Sequence, residues 1–154
     1  MKNINTAMIG LKDCLVNHLS EYIQENNNFE VAIPEISEKQ IIIDFPDIDK
    51  LPFSVTVYIV PDYSSQSNQT TCHILNSDTV KVWIFAKRDK QENLIAKSSC
   101  VYSAILQTLL NHRTLDGKIN VLDFESADFY PSVTASNTVA AYEITLSLKY
   151  VLSV

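Results

Sequence analysis

Any chemistry in this chain must come from a few dispersed side chains. Three histidines, His18, His73 and His112, lie far apart in the sequence and in different predicted elements. Cys14, Cys72 and Cys100 form no CxxC pair and cannot complete a disulfide framework. Cys72 and His73 are adjacent, which is not the spacing of zinc ligands, and we read them as an incidental pair near a strand start. Asp44, Asp47 and Asp49 are the densest acidic cluster. They lack the alternating oxygen ligands and central glycine of a calcium loop, and Pro46 and Pro52 mark the segment as a solvated turn. Ser98, Ser99 and Ser103 fall on a predicted helix, outside any GxSxG elbow. With 2 glycines in the chain there is no glycine-rich phosphate loop. An enzyme would need two or more of Asp44, His73, Glu92, His112 and Asp128 to converge in a cleft with shifted pKa values. Nothing in the sequence singles out such a pair. The expectation is no catalytic residue, no cofactor and no metal.

The other candidates suit contact better than reaction. Thr79 to Arg88 alternates as a strand, with Val80, Val82, Ile84 and Ala86 on one face. Lys81, Trp83, Phe85 and Lys87 share the other face, aromatic rings between cations. Large aromatic surfaces seek cover, so this face predicts either a second core or an interface. Phe129 and Tyr130 invite the same two readings. Asp62, Tyr63 and His73 belong to a polar segment that sequence alone leaves unstructured, and segments this long are usually functional or disordered.

These residues have to be held by regular elements. The strand at 79–88 leads into a helix, with Asp89 and Glu92 as a capping-box start. Leu94, Val101, Ile105 and Leu109 form its apolar stripe, widened by Ile95, Tyr102, Leu106 and Leu110. His112 and Arg113 sit at its end, where cations suit the helix dipole. An earlier helix, Thr6 to Gln24, is capped by Asn5 or Thr6 and striped by Met8, Leu11, Leu15, Leu19 and Tyr22, with Ile9, Val16 and Ile23 alongside. Strands are expected at Phe29–Ile33, Gln40–Phe45, Phe53–Val60, Ile119–Phe124 and Thr138–Leu152. Two stretches read as long loops: about 61–78, whose small polar core Ser64 to Thr71 cannot bury enough surface to order itself, and about 125–137, irregular, aromatic at Phe129-Tyr130-Pro131 and then rich in Ser and Thr. The whole, 1–154, reads as a single α+β domain. It would have one mostly antiparallel or mixed sheet, with two main helices packed on one face.

Composition narrows the partners. The chain has 154 residues, 46% of them hydrophobic, and a formal net charge of −6. That charge argues against a general nucleic-acid binder, which needs a basic patch to release counterions. No apolar run is long enough to span a bilayer, and no signal peptide is visible after the first lysine. The cysteine usage suits a reducing compartment.

The order of elements resembles the tail-terminator proteins of long-tailed bacteriophages, which complete the tail and join it to the head. The likeness lies in layout over nearly the whole chain. An amphipathic helix, Thr6 to Gln24, is followed by a strand ending in Val60-Pro61, a polar loop, and the Val80–Arg88 strand with its long helix. The closing part, Asp128-Phe129-Tyr130-Pro131, a Ser/Thr linker and Ala141 to Tyr150, also fits. One departure is that Asp62 and Tyr63 follow Pro61 where the family often carries basic residues. The resemblance implies a structural virion protein, not an enzyme, located in the tail or neck and assembled in the host cytoplasm. Its partners would be further copies of itself in a ring, usually a hexamer, the tail tube protein, and a head–tail connector or neck protein. DNA would pass through the lumen without being gripped, since a negative wall repels phosphate. On this reading Trp83→Ala or Phe85→Ala weakens assembly more than folding. The alternatives are another neck, head-completion or minor tail protein, a small enzyme with a dispersed site, or an adaptor that orders its loops on binding.

Overall fold

The computed structural model describes residues 3–26, 33, 35–69, 73–88, 93–133 and 138–153. Helix α1 spans Ile4–Asn26 and helix α2 spans Leu94–Asn111. The strands are β1 Ile41–Ile43, β2 Val55–Gln69, β3 His73–Lys87, β4 Val121–Tyr130 and β5 Val139–Ser153. They form one five-stranded sheet in the order β1-β2-β3-β5-β4. β1 runs parallel to β2, and every other pairing is antiparallel. This is the expected α+β class, with a mixed sheet.

Both helices cover the same sheet face. Val57 and Ile59 of β2, Val82 and Ile84 of β3, and Ile144 and Leu146 of β5 are buried there. They pack against Leu11, Leu15 and Leu19 of α1 and Val101, Ile105 and Leu109 of α2. The apolar stripes are narrower than the periodicity suggested. Ile9 and Val16 of α1 and Ile95 and Leu110 of α2 remain exposed, because each helix meets the sheet along one seam. The caps also differ. Asn3 accepts from the Thr6 amide at 2.9 Å, so the cap lies two or three residues earlier than expected. Asn93 caps α2, accepting from the Ala96 amide at 3.1 Å. Asp89 and Glu92 lie outside the described residues, as does the expected strand at 29–33 except for Ile33.

β1 is shorter than the Gln40–Phe45 strand read from its isoleucines. Gln40 belongs to a 3₁₀ turn, Glu38–Gln40. Its side chain accepts from the Ser37 amide at 2.9 Å and donates to the Val55 carbonyl at 3.0 Å. The larger correction concerns the two expected loops. β2 continues through Pro61 to Gln69, and β3 begins at His73, so 61–69 and 73–78 form the far half of a long hairpin. Backbone pairing supplies what the polar side chains cannot, since β5 holds the other side of β3 as far as His73 opposite Ser153. Pro61 is tolerated because β1 stops opposite Ile59, leaving β2 without a strand on one side. β4 likewise runs on to Tyr130, and Glu125 is absorbed in a bulge between Phe124 and Ser126.

A buried polar group marks where the apolar core gives way to this ribbon. The Tyr150 hydroxyl donates to the buried Asp78 carboxylate, and the Asn76 amide reaches the same hydroxyl at 3.5 Å. On the other face the Ser77 and Ser147 hydroxyls meet at 2.8 Å.

The turn after α2 brings α1 close. Leu115, Asp116 and Gly117 all have positive φ, 50°, 57° and 85°. A side chain at Gly10 would meet the Lys118 Cβ at 3.0 Å, so glycine permits this approach. His18 Nε2 binds Asp116 at 2.9 Å, and its ring stacks on His112 with centroids 3.9 Å apart. The sequence treated these histidines as unrelated; the helix pairing brings two of them together. Cys14 is fully buried nearby, and burial, then the Asp116 charge, push its thiol up to about 12. Cys14 should therefore resist a thiol reagent at pH 8 in the native state and react only after denaturation. Rapid labelling of Cys14 in the folded protein, located by peptide mass, would contradict this packing.

Candidate functional site

The sheet face away from the helices carries most of the candidate residues. Strand alternation puts Lys81, Trp83, Phe85 and Lys87 of β3 there, with Asp62 on β2 and Tyr130 on β4. Trp83 lies at the centre. Its ring stacks on Phe85 at 5.7 Å and meets Tyr130 at 5.8 Å. Tyr58 of β2, opposite Trp83, completes the row edge-on to Phe85 at 5.9 Å.

One end of this row is closed. Leu51, Val60, Val139 and Ala141 bury Phe85, which is 1% exposed. Phe85 thus moves from the candidate interface to a second core, because the segments around Leu51 and Val133 fold over that end of the sheet. Lys87 is drawn into the same closure, its ammonium donating to the Leu51 carbonyl at 3.0 Å. Burial, then the charges of Asp47 and Asp44, raise the Tyr58 hydroxyl. The acidic cluster itself is used locally. Asp44 accepts from the Phe45 amide at 2.7 Å, and Asp47 accepts from the Asp49 amide at 3.2 Å.

The other end stays open and polar. Lys81 pairs with Glu143 at 3.2 Å. Lys149 lies 3.1 Å from Asp123, which Arg113 also binds. The Lys149 hydrogen bond, aided by Arg113, holds the Asp123 carboxyl below its ordinary range. Between the two ends, Trp83 is half-buried and Tyr130 is 39% exposed. Phe129 points to the helix face, stacked on Tyr142 at 4.6 Å, while Tyr142 stacks on Tyr102 at 4.3 Å. The side chains of Tyr63 and His73 lie outside the described residues.

Of the groups proposed for a dispersed enzyme site, the three whose side chains are described, Asp44, His112 and Asp128, do not meet. Asp44 follows β1 and Asp128 lies on β4, at opposite edges of the sheet, and His112 ends α2. The side chains of His73 and Glu92 are outside the described residues. Among the described residues, no three His, Cys, Asp or Glu side chains are placed to hold a metal ion. No described helix is long and apolar enough to cross a membrane. What the arrangement offers is an aromatic strip bordered by ion pairs, a surface for contact.

No family model and no curated protein matches the chain. Among solved structures, it is similar to a chain of the virion of a native gene transfer agent particle. That likeness has 8% identity and a TM-score of 0.47, over 90% of this chain and 95% of the other. It is also similar to the sheath/tube terminator of an extracellular contractile injection system in its extended state. There the identity is 13% and the TM-score 0.39, over 92% of this chain and 56% of the other.

Proposed function

We propose that this chain is a structural component of a phage-type virion, a tail terminator. In this role copies assemble as a ring, six in number as in the family it resembles. The ring caps the tail tube and joins it to the head through a connector or neck protein. The observation that supports this best is the order of elements. An amphipathic helix, a long hairpin, a second helix and a long closing strand follow one another as the layout requires. The hairpin β2–β3 stands where the polar loop was expected, and the half-covered strip at Trp83 and Tyr130 is a surface suited to contact. The net charge of −6 suits a lumen through which DNA slides without adhering.

Such a protein stops tube growth. Cognate tail tube protein polymerised with the purified chain should give short tubes bearing extra density at one end in negative-stain images. An unchanged length distribution, with bare ends at every ratio, would contradict the proposal.

A further inference from the structure

Among the described residues the sheet has two free edges, and they are unlike. β1 pairs with β2 only from Val57 to Ile59, so among the described residues no strand lies on the side of β2 away from β3 from Val60 to Gln69. That open stretch, whose register shifts between Asp62 and Gln66, is as long as β4, which has 10 residues, carries its own bulge and forms the opposite edge. An unpaired edge presents a row of backbone donors and acceptors, and the chemistry that satisfies it is another extended strand. Exposed apolar side chains flank both edges. Phe45, two residues past the end of the β1 pairing, is 60% exposed. Phe124 and Phe129 of β4 are 40% and 37% exposed.

Charge selects how copies can use these edges. β4 carries Glu125 and Asp128, both exposed, besides Asp123, which Arg113 and Lys149 already neutralise. Two β4 edges brought together would set those carboxylates against their own copies. The open stretch of β2 carries a single charge, Asp62, fewer than β4 carries, while the exposed Asp44 and Asp47 stand beside Phe45 where that stretch begins.

We infer that the β4 edge of one copy pairs with the open β2 edge of the next, continuing the sheet from subunit to subunit. The contact is heterologous, the kind that closes into a ring. Phe45 on one side and Phe124 on the other are its apolar flanks. This inference rests on the ring reading above and assigns the surfaces that build the ring.

The test uses two variants of the full chain, Phe45→Asp for the β2 edge and Phe124→Asp for the β4 edge. Phe129→Asp serves as a second β4 variant should Phe124→Asp fail to fold. Circular dichroism and thermal melting check each fold. Light scattering at several concentrations, with and without tail tubes, reads the mass. Each variant alone should remain at monomer mass where the wild type assembles. Mixed, they should give twice the monomer mass and no more, since one intact β2 edge meets one intact β4 edge. A mixture that stays monomeric overturns the head-to-tail pairing. Variants that assemble like the wild type overturn edge pairing and leave the ring reading standing. A wild type that never exceeds monomer mass, even with tubes, overturns both.

Discussion

Phe85→Ala should lower folding stability by about 3–5 kcal/mol, the range for deleting a buried aromatic ring. In the sequence Phe85 shares a strand face with two lysines, and that face left open a second core or an interface. In the folded chain it is the centre of a second core, 1% exposed and packed against Leu51, Tyr58, Val139 and Ala141. Truncation would leave a void between the sheet and the segments that close over it. It would also remove the ring contacts to Tyr58 and Trp83. Domains of this size have stabilities of about 5–15 kcal/mol, so the loss would be a large share of the total. Trp83→Ala should cost the fold much less, because Trp83 is only half-buried, and its effect should appear in assembly. Urea titration of both variants decides this. An unchanged midpoint for Phe85→Ala would mean that this end of the sheet is not closed as described.

Tyr150 governs the second large effect. Burial, then the hydrogen bond to Asp78, push its hydroxyl up from 10.0 to about 12. A group whose pKa is raised on folding stabilises the fold while it keeps its proton. That stabilisation, about 2–3 kcal/mol for a shift of this size, is complete below pH 10 and lost as the pH climbs through 12. Tyr150→Phe should remove this alkaline loss. Near neutral pH the variant should cost about 1–3 kcal/mol, because the buried Asp78 carboxylate loses its donor. Burial also raises Tyr58 and Tyr102, so the informative quantity is the difference between wild type and variant across the alkaline range. Parallel stability curves from pH 9 to 12 would show that Tyr150 is not the group responsible.

The sequence was most informative where apolar residues repeat with a period. The stripes of both helices, the alternation of β3 and the long run of β5 all place the core correctly. It failed where backbone pairing carries the structure. Gln66 to Gln69 has no apolar signal, yet it is a strand because β3 offers it a ladder and β5 steadies β3 from the other side. Glu125 hid the continuation of β4, since a bulge breaks the alternation on which strand reading depends. The candidate surface was half legible. Trp83 and Phe85 stood out as aromatic residues between lysines, but which of them is covered depends on Leu51 and Val133, distant in sequence. The stacking of His18 on His112 carried no local signal, because it arises only when α1 docks against the end of α2.

Copies of this chain are proposed to build a ring. The most direct test is the mass of the purified protein by light scattering over a concentration series, alone and with tail tubes. Negative-stain images of any large species complete the measurement. The expected result is a particle several times the monomer mass of 17.4 kDa with a hole at its centre. A strict monomer at every concentration, unchanged by tubes, would contradict the claim.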